Sequence, residues 1–281
     1  MTEVDEFELW SDRGDDSPLI IRGDARIPAD PTGTVVICHG FKGFARWAFF
    51  PYLAKRISEA GLRAITFDFS GSGIGSDREN FTNPEAFTNN TFTQELDDLG
   101  AVIAEARVRD WIDRDFGLFG HSRGGGVAIL HASRNRDVKA LVTWAAISDT
   151  NRWPPEVIAE WKTRGYVDVP NARTGQIIPL GTAVLEEVER LGETALNIAS
   201  AASSIRAPWL VIHGASDETV PLAEAERLHD WAKDTSELRI IDGANHAFDA
   251  RHPLTEPSPT LDAVTRDTVN FFVRHVAADS M

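Results

Sequence analysis

One cysteine, two methionines, two tyrosines and five lysines among 281 residues narrow the chemistry open to this chain before any motif is read. A single thiol, Cys38, can close no disulfide within the chain and cannot build a multi-cysteine metal site. No H-E-x-x-H or comparable ligand spacing occurs, so no metal is expected. Nowhere does an apolar run approach the ~20 residues that cross a bilayer. The opening MTEVDEFELW lacks the basic and apolar stretches of a secretory signal. Positive charge is scarce too. Lys and Arg number 28 against 43 Asp and Glu, and the formal net charge of -15 repels nucleic acid and anionic membranes as main partners. A cytoplasmic protein is expected, and composition is silent on oligomeric state.

What remains is the composition of an ordinary globular protein, 42% apolar and 25% charged, at the upper end of what one hydrophobic core serves. Short apolar runs at 35–38, 63–69, 116–119, 138–145, 209–213 and 238–242 read as strands. Most are continuously apolar, the pattern of strands buried on both faces. Two earlier strands, near 6–10 and 19–27, form an expected edge hairpin with DRGDDSP as its turn. Helical periodicity falls between the runs at 46–60, 93–112, 123–134 and 222–233. A last helix begins with Ser258 as N-cap and Pro259 at its first position, and runs to about Val276. This alternation predicts a parallel α/β sheet with helices on both faces. From 149 to 206 the rhythm breaks for about 58 residues. Helical patterns at 154–164 and 182–200 flank an irregular GYVDVPNARTGQIIPLG, which is too long for an ordinary connection. The expected organisation is a core of 1–148 and 207–281, with 149–206 as a helical insertion over the sheet.

Gly120-His121-Ser122-Arg123-Gly124 lies between a strand and a helix, the context in which G-x-S-x-G presents a nucleophile on a strained turn. Glycines on either side remove Cβ atoms that would collide with strand and helix. A serine hydroxyl needs a base to take its proton and an acid to orient that base. His246, in IIDGANHAF, follows the last core strand, and Asp217, in VIHGASDETVP, follows another. Glu218, Asp242 and Asp249 compete for the acid's place, and His252 for the base's. His39, His121 and His213 each adjoin a motif glycine and read as packing or loop-shaping groups. FDFSGSGIGSD resembles a phosphate loop in its glycines only, since no helix opens after Gly75.

In this order, VVICHGF, GHSRGG, HGASDETVP and GANHAF resemble the α/β-hydrolase fold family, within its bacterial esterase and serine-aminopeptidase-like branch that includes cinnamoyl and feruloyl esterases. The resemblance covers about 30–280. It implies a mostly parallel sheet of about eight strands with a variable cap at 149–206, a triad of Ser122, Asp217 and His246, and no cofactor. It also implies an oxyanion hole made by the backbone N–H groups of Phe41 and Arg123. The activity expected is hydrolysis of a small-molecule carboxylic ester. An amide hydrolase with the same triad and a non-catalytic ligand-binding member of the fold are the alternatives. Trp153, Trp161, Ile177, Ile178 and Leu180 are the candidate walls of the substrate pocket.

Overall fold

The computed structural model describes residues 2–11, 19–171 and 175–277. Its main sheet opens with β1 (Glu3–Ser11) and β2 (Leu19–Ile27), an antiparallel pair in register from Glu3 opposite Ile27 to Ser11 opposite Leu19. The DRGDDSP turn expected between them lies outside the described residues. Then come β3 (Thr34–Cys38), β4 (Arg63–Asp68), β5 (Phe116–His121), β6 (Val138–Trp144), β9 (Trp209–Gly214) and β10 (Ser236–Ile241). The eight strands lie in the order β1-β2-β4-β3-β5-β6-β9-β10. β2 pairs antiparallel with β4, and every pairing beyond it is parallel.

The continuous apolar runs have the cause expected of them. Val35 and Ile37 enter one core, against α1 (Phe49–Glu59) and α9 (Pro259–Val276). Their neighbours Val36 and Cys38 enter the other, with α3 (Phe92–Val108), α4 (Arg123–Ala132) and α8 (Leu222–Trp231). Successive side chains point to opposite faces, so a strand covered on both faces reads as a nearly continuous apolar run, broken only by buried polar residues such as Thr34 and Thr143. Helix starts follow capping chemistry. The Ser258 hydroxyl accepts the Leu261 N–H at 3.0 Å with Pro259 in the first turn, and Thr91 accepts the Gln94 N–H at 3.2 Å to open α3. α3 stops at Val108, earlier than the periodicity suggests, because Asp110 turns the chain with φ 55°.

The 149–206 segment differs from its expected form. After α5 (Pro155–Arg164), the stretch read as irregular is an antiparallel ribbon, β7 (Tyr166–Asn171) with β8 (Gln176–Gly181). Two prolines hide it in the sequence. A two-stranded ribbon has edges on both sides, so Pro170 and Pro179 cost it no obligatory pairing. Its alternation is nonetheless regular: Ile178 and Leu180 are buried while Ile177 is 68% exposed. The helix expected over 182–200 is two, α6 (Ala183–Leu191) and α7 (Ile198–Ser204), with Asn197 capping the second through the Ser200 N–H at 2.8 Å. α7 packs against α4, where a Cβ on Gly126 would lie 3.1 Å from Ile198 Cδ1. A short helix absent from the sequence reading, α2 (Pro84–Thr88), meets the ribbon through a hydrogen bond from the Thr88 hydroxyl to the Pro179 carbonyl, 2.8 Å.

Candidate active site

Ser122 is the N-cap of α4 and takes φ 56°, ψ -122°, a conformation that L side chains rarely adopt. The turn survives because the backbone is fixed around it. Ser122 donates its N–H to the Trp144 carbonyl at 2.9 Å, and its own carbonyl accepts from Gly125 at 3.0 Å. The flanking glycines have a measurable reason. A Cβ on Gly120 would sit 2.4 Å from the Gly124 oxygen, and one on Gly124 would sit 2.1 Å from the His39 oxygen. Side chains at 120 and 124 would therefore push the Ser122 turn off the β3 loop.

Asp217 and His246 leave neighbouring parallel strands at the same edge of the sheet, just past β9 and β10. Their side chains meet: His246 Nδ1 donates to Asp217 Oδ2 at 2.7 Å. The other carboxylate oxygen accepts the N–H groups of Thr219 and Val220 at 2.8 and 2.9 Å. Burial works to raise the Asp217 carboxyl. Hydrogen bonds from His213 and His246, the His246 charge and the Val220 N–H outweigh it and hold the group well below the usual carboxylate range. The proton on His246 Nδ1 leaves Nε2 as the acceptor nitrogen. Of the rivals, Glu218 is exposed, Asp249 accepts from Asn245 at 3.0 Å, and His252 accepts the Ala48 N–H at 3.0 Å ahead of α1. His252 is thus a structural group rather than the solvated residue its proline-rich context suggests.

The other motif histidines support this geometry. His121 donates from Nε2 to the His246 carbonyl at 3.0 Å, and the two rings lie 4.7 Å apart. Burial, reinforced by the His246 charge, lowers its pKa to about 3, so it stays neutral. His213 donates to the Val220 carbonyl at 2.8 Å, with Asp217 Oδ2 3.4 Å away. His39 shapes the loop after β3. Its Nδ1 donates to the Gly40 carbonyl at 2.9 Å, and its Nε2 accepts the Phe69 N–H at 3.0 Å. The same loop is tied down where Asp68 accepts the Ala45 N–H at 2.6 Å and an ion pair from Arg78 at 3.1 Å. Gly40 brings the loop against Ser122, since a Cβ there would lie 3.0 Å from Ser122 Cβ. Cys38, fully buried, has its thiol pushed up by desolvation and carries no thiolate. Among the described residues, no group of three or more His, Cys, Asp or Glu is placed to hold a metal, and no helix is long and apolar enough to cross a membrane.

Two clefts flank Ser122 and share Phe41, Lys42, Ser122 and His246 as their common wall. The first, about 280 Å³, is completed by Trp47, Phe50, His121 and Asn171. The second, about 390 Å³, is completed by Phe92, Arg123, Ile147, Thr150, Arg152, Trp153 and Thr219. Among the described residues, no carboxylate lines either one. Of the five residues expected as pocket walls, Trp153 lines the second cleft. Trp161 is buried behind it, ring edge to face at 4.9 Å. Ile177 and Ile178 line a different groove, with Phe81 and Pro84, and Leu180 is in the core. Trp47, Phe50, Phe92 and Arg152 were not anticipated as walls. The nearest signal was the aromatic density of FARWAFF ahead of α1.

Residues 29–174, just over half of the chain, match the family described as "Serine aminopeptidase, S33". The chain belongs to this family. Its eight-stranded, mostly parallel sheet with helices on both faces is the α/β-hydrolase fold. The first curated relatives it matches, two Escherichia coli proteins 32% and 31% identical over 116 residues, are spanned over 37% of their length. A monoacylglycerol lipase of Mycolicibacterium smegmatis is 25% identical over 272 residues, covering 88% of this chain and 90% of that one. Among solved structures, Est1E from Butyrivibrio proteoclasticus with ferulic acid bound superposes with a TM-score of 0.72 at 20% identity, over 95% of this chain and 98% of that one. The monoacylglycerol lipase of Paleococcus ferrophilus gives 0.66 at 19% identity, over 97% and 99%.

Proposed function

We propose that this member of the family is a serine hydrolase that cleaves small carboxylic esters through an acyl-enzyme. The observation that carries the reading is the 2.7 Å bond from His246 Nδ1 to Asp217, on an imidazole that lines the same two clefts as the strained Ser122. Ser122 Oγ attacks the ester carbonyl as His246 Nε2 takes its proton. The carbonyl π pair moves to oxygen, and the oxyanion receives the N–H groups of Phe41 and Arg123. Collapse breaks the bond to the alcohol, which leaves with the proton from His246. Water then repeats the sequence and releases the acid. A nucleophile at the junction of two clefts suits a substrate with a group on each side of the scissile bond, one half in each cleft. In this reading 149–206 is a cap that selects the substrate, with α7 as its foot in the body. Lys42 Nζ, on the Pro170 carbonyl at 3.1 Å, ties that cap to the loop after β3.

The name of the family raises an aminopeptidase as the competing reading. The walls of the clefts argue against it, because the α-ammonium of a peptide would meet Lys42 and, among the described lining residues, no carboxylate. The lipases and Est1E among the relatives support an ester. Hydrolysis of p-nitrophenyl esters compared with aminoacyl p-nitroanilides tests the choice. Esters are expected to be turned over faster, and Ser122→Ala to abolish the activity without lowering the melting temperature. A strong preference for anilides overturns the ester reading. Undiminished turnover in Ser122→Ala overturns the nucleophile.

A further inference from the structure

The residue after the proposed nucleophile contributes a backbone N–H, and nothing in that role requires arginine. Arg123 is nevertheless 6% exposed, its guanidinium turned inward. Nε pairs with Glu95 Oε2 at 2.9 Å, and the Glu95 side chain is itself 5% exposed. The guanidinium carbon lies 3.8 Å from the centre of the Phe92 ring and 5.6 Å from that of Phe41. Glu95 in turn accepts from Asn90 Nδ2 at 2.7 Å through its second oxygen. On the far side, Phe41 packs on Phe87 at 5.1 Å.

A buried ion pair is a poor device for stability alone, because removing two charges from water offsets most of their attraction. This one is not even fully bonded, since Arg123 Nη2 is buried without a hydrogen-bond partner. Its position has a clearer use. One end is covalently part of the first residue of α4, and its flat face packs toward the ring of Phe41 on the loop after β3. The pair is anchored to α3 through Glu95 and Phe92. We infer that the Arg123 side chain, held by Glu95, is a positioning residue that fixes the spacing between the two oxyanion donors. This rests on the ester hydrolase reading above, because it presumes that the N–H groups of Phe41 and Arg123 act together. The cation–π contact and the planar fork suit arginine to the task. Lysine would keep the charge and lose both the second packing face and the directional Nε bond.

Arg123→Lys and Glu95→Gln provide the test, with the double variant Arg123→Met/Glu95→Gln as a form that leaves no lone buried charge. Each is assayed for kcat and KM on a p-nitrophenyl ester and for inhibition by an alkyl trifluoromethyl ketone, whose adduct with the serine carries the oxyanion. The expected result is a kcat lower by about 10- to 100-fold with KM little changed, because a donor misplaced by about 1 Å costs that much. Affinity for the ketone should fall by a similar factor, and circular dichroism should remain native. A kcat that falls while ketone affinity is unmoved, or variants as active as the parent, overturn the positioning role. Such a result leaves the hydrolase reading standing if Ser122→Ala is inactive. An active Ser122→Ala overturns the reading itself.

Discussion

Asp217→Asn isolates the acid's role with little change in shape. In the native site one carboxylate oxygen is occupied by the backbone N–H groups of Thr219 and Val220. The amide oxygen of asparagine satisfies these two donors unchanged, so its nitrogen must take the other position, facing His246. That nitrogen donates, as His246 Nδ1 does now across 2.7 Å. Two donors cannot share that contact, and His246 relieves it by moving its proton to Nε2. The acceptor nitrogen then points at asparagine instead of at the serine. His213 Nε2, 3.4 Å from the same carboxylate oxygen, meets a second donor as well. Loss of the correct tautomer in such a triad lowers kcat by about 10³–10⁴, or about 4–5.5 kcal/mol of barrier. Stability should change far less, because the backbone bonds of the loop survive. The assay is kcat on a p-nitrophenyl ester beside a thermal melt. A loss below tenfold in a folded protein would mean that Asp217 does not set the tautomer, and the reasoning fails.

Two further outcomes follow from the geometry. Gly124→Ala should destabilise the protein by about 1–3 kcal/mol and impair turnover, although alanine ordinarily favours a helix by about 1 kcal/mol. The added Cβ would lie 2.1 Å from the His39 oxygen, on backbone that cannot give way cheaply, and an unchanged or raised melting temperature refutes this. Stability should also fall on acidification. Burial, with the charges of Arg134 and Arg107, lowers the His131 pKa to about 4, and burial with the His246 charge lowers that of His121 to about 3. Unfolded histidines titrate near about 6.5, so the unfolded chain takes up these protons first. The stabilisation is complete above that pH and is lost on the way down to the folded values. Each histidine then costs about 2 kcal/mol at about pH 5. Urea denaturation at the two pH values checks this, and His131→Gln should show a smaller pH dependence than the parent. An identical dependence refutes the assignment.

The sheet was legible because its central strands are covered on both faces and so read as short, nearly continuous apolar runs, as VVIC and WLVI illustrate. The proposed triad positions were legible because each follows a strand at the same edge of the sheet: 122 after β5, 217 after β9, 246 after β10. The walls of the clefts were not. Trp47, Phe92 and Arg152 lie on three separate segments, and only tertiary packing brings them around Ser122. Nor was the ribbon of β7 and β8, where prolines at 170 and 179 masked an alternation that Val167, Val169, Ile178 and Leu180 carry plainly. The course of the Arg123 side chain depends on Glu95, 28 residues earlier on another helix, and local pattern holds no record of it.

The four motif histidines differ in what their ring nitrogens are bonded to, and the proposed base stands apart. His39 has both ring nitrogens engaged, one donating to Gly40 and one accepting from Phe69, and burial lowers its pKa. His121 and His213 each give a proton to a backbone carbonyl, which can only accept, so Nε2 carries the hydrogen in both. Neither can take a proton from the serine through that nitrogen. His246 alone of the four has a carboxylate on Nδ1 at bonding distance, and its ring, 21% exposed, lines the clefts. A base must both receive a proton and return it, which requires an acceptor nitrogen facing the substrate and an anion behind to steady the imidazolium. The histidines around it supply hydrogen bonds to backbone groups. In the proposed reaction, the engagement of their ring nitrogens confines the proton transfer to position 246.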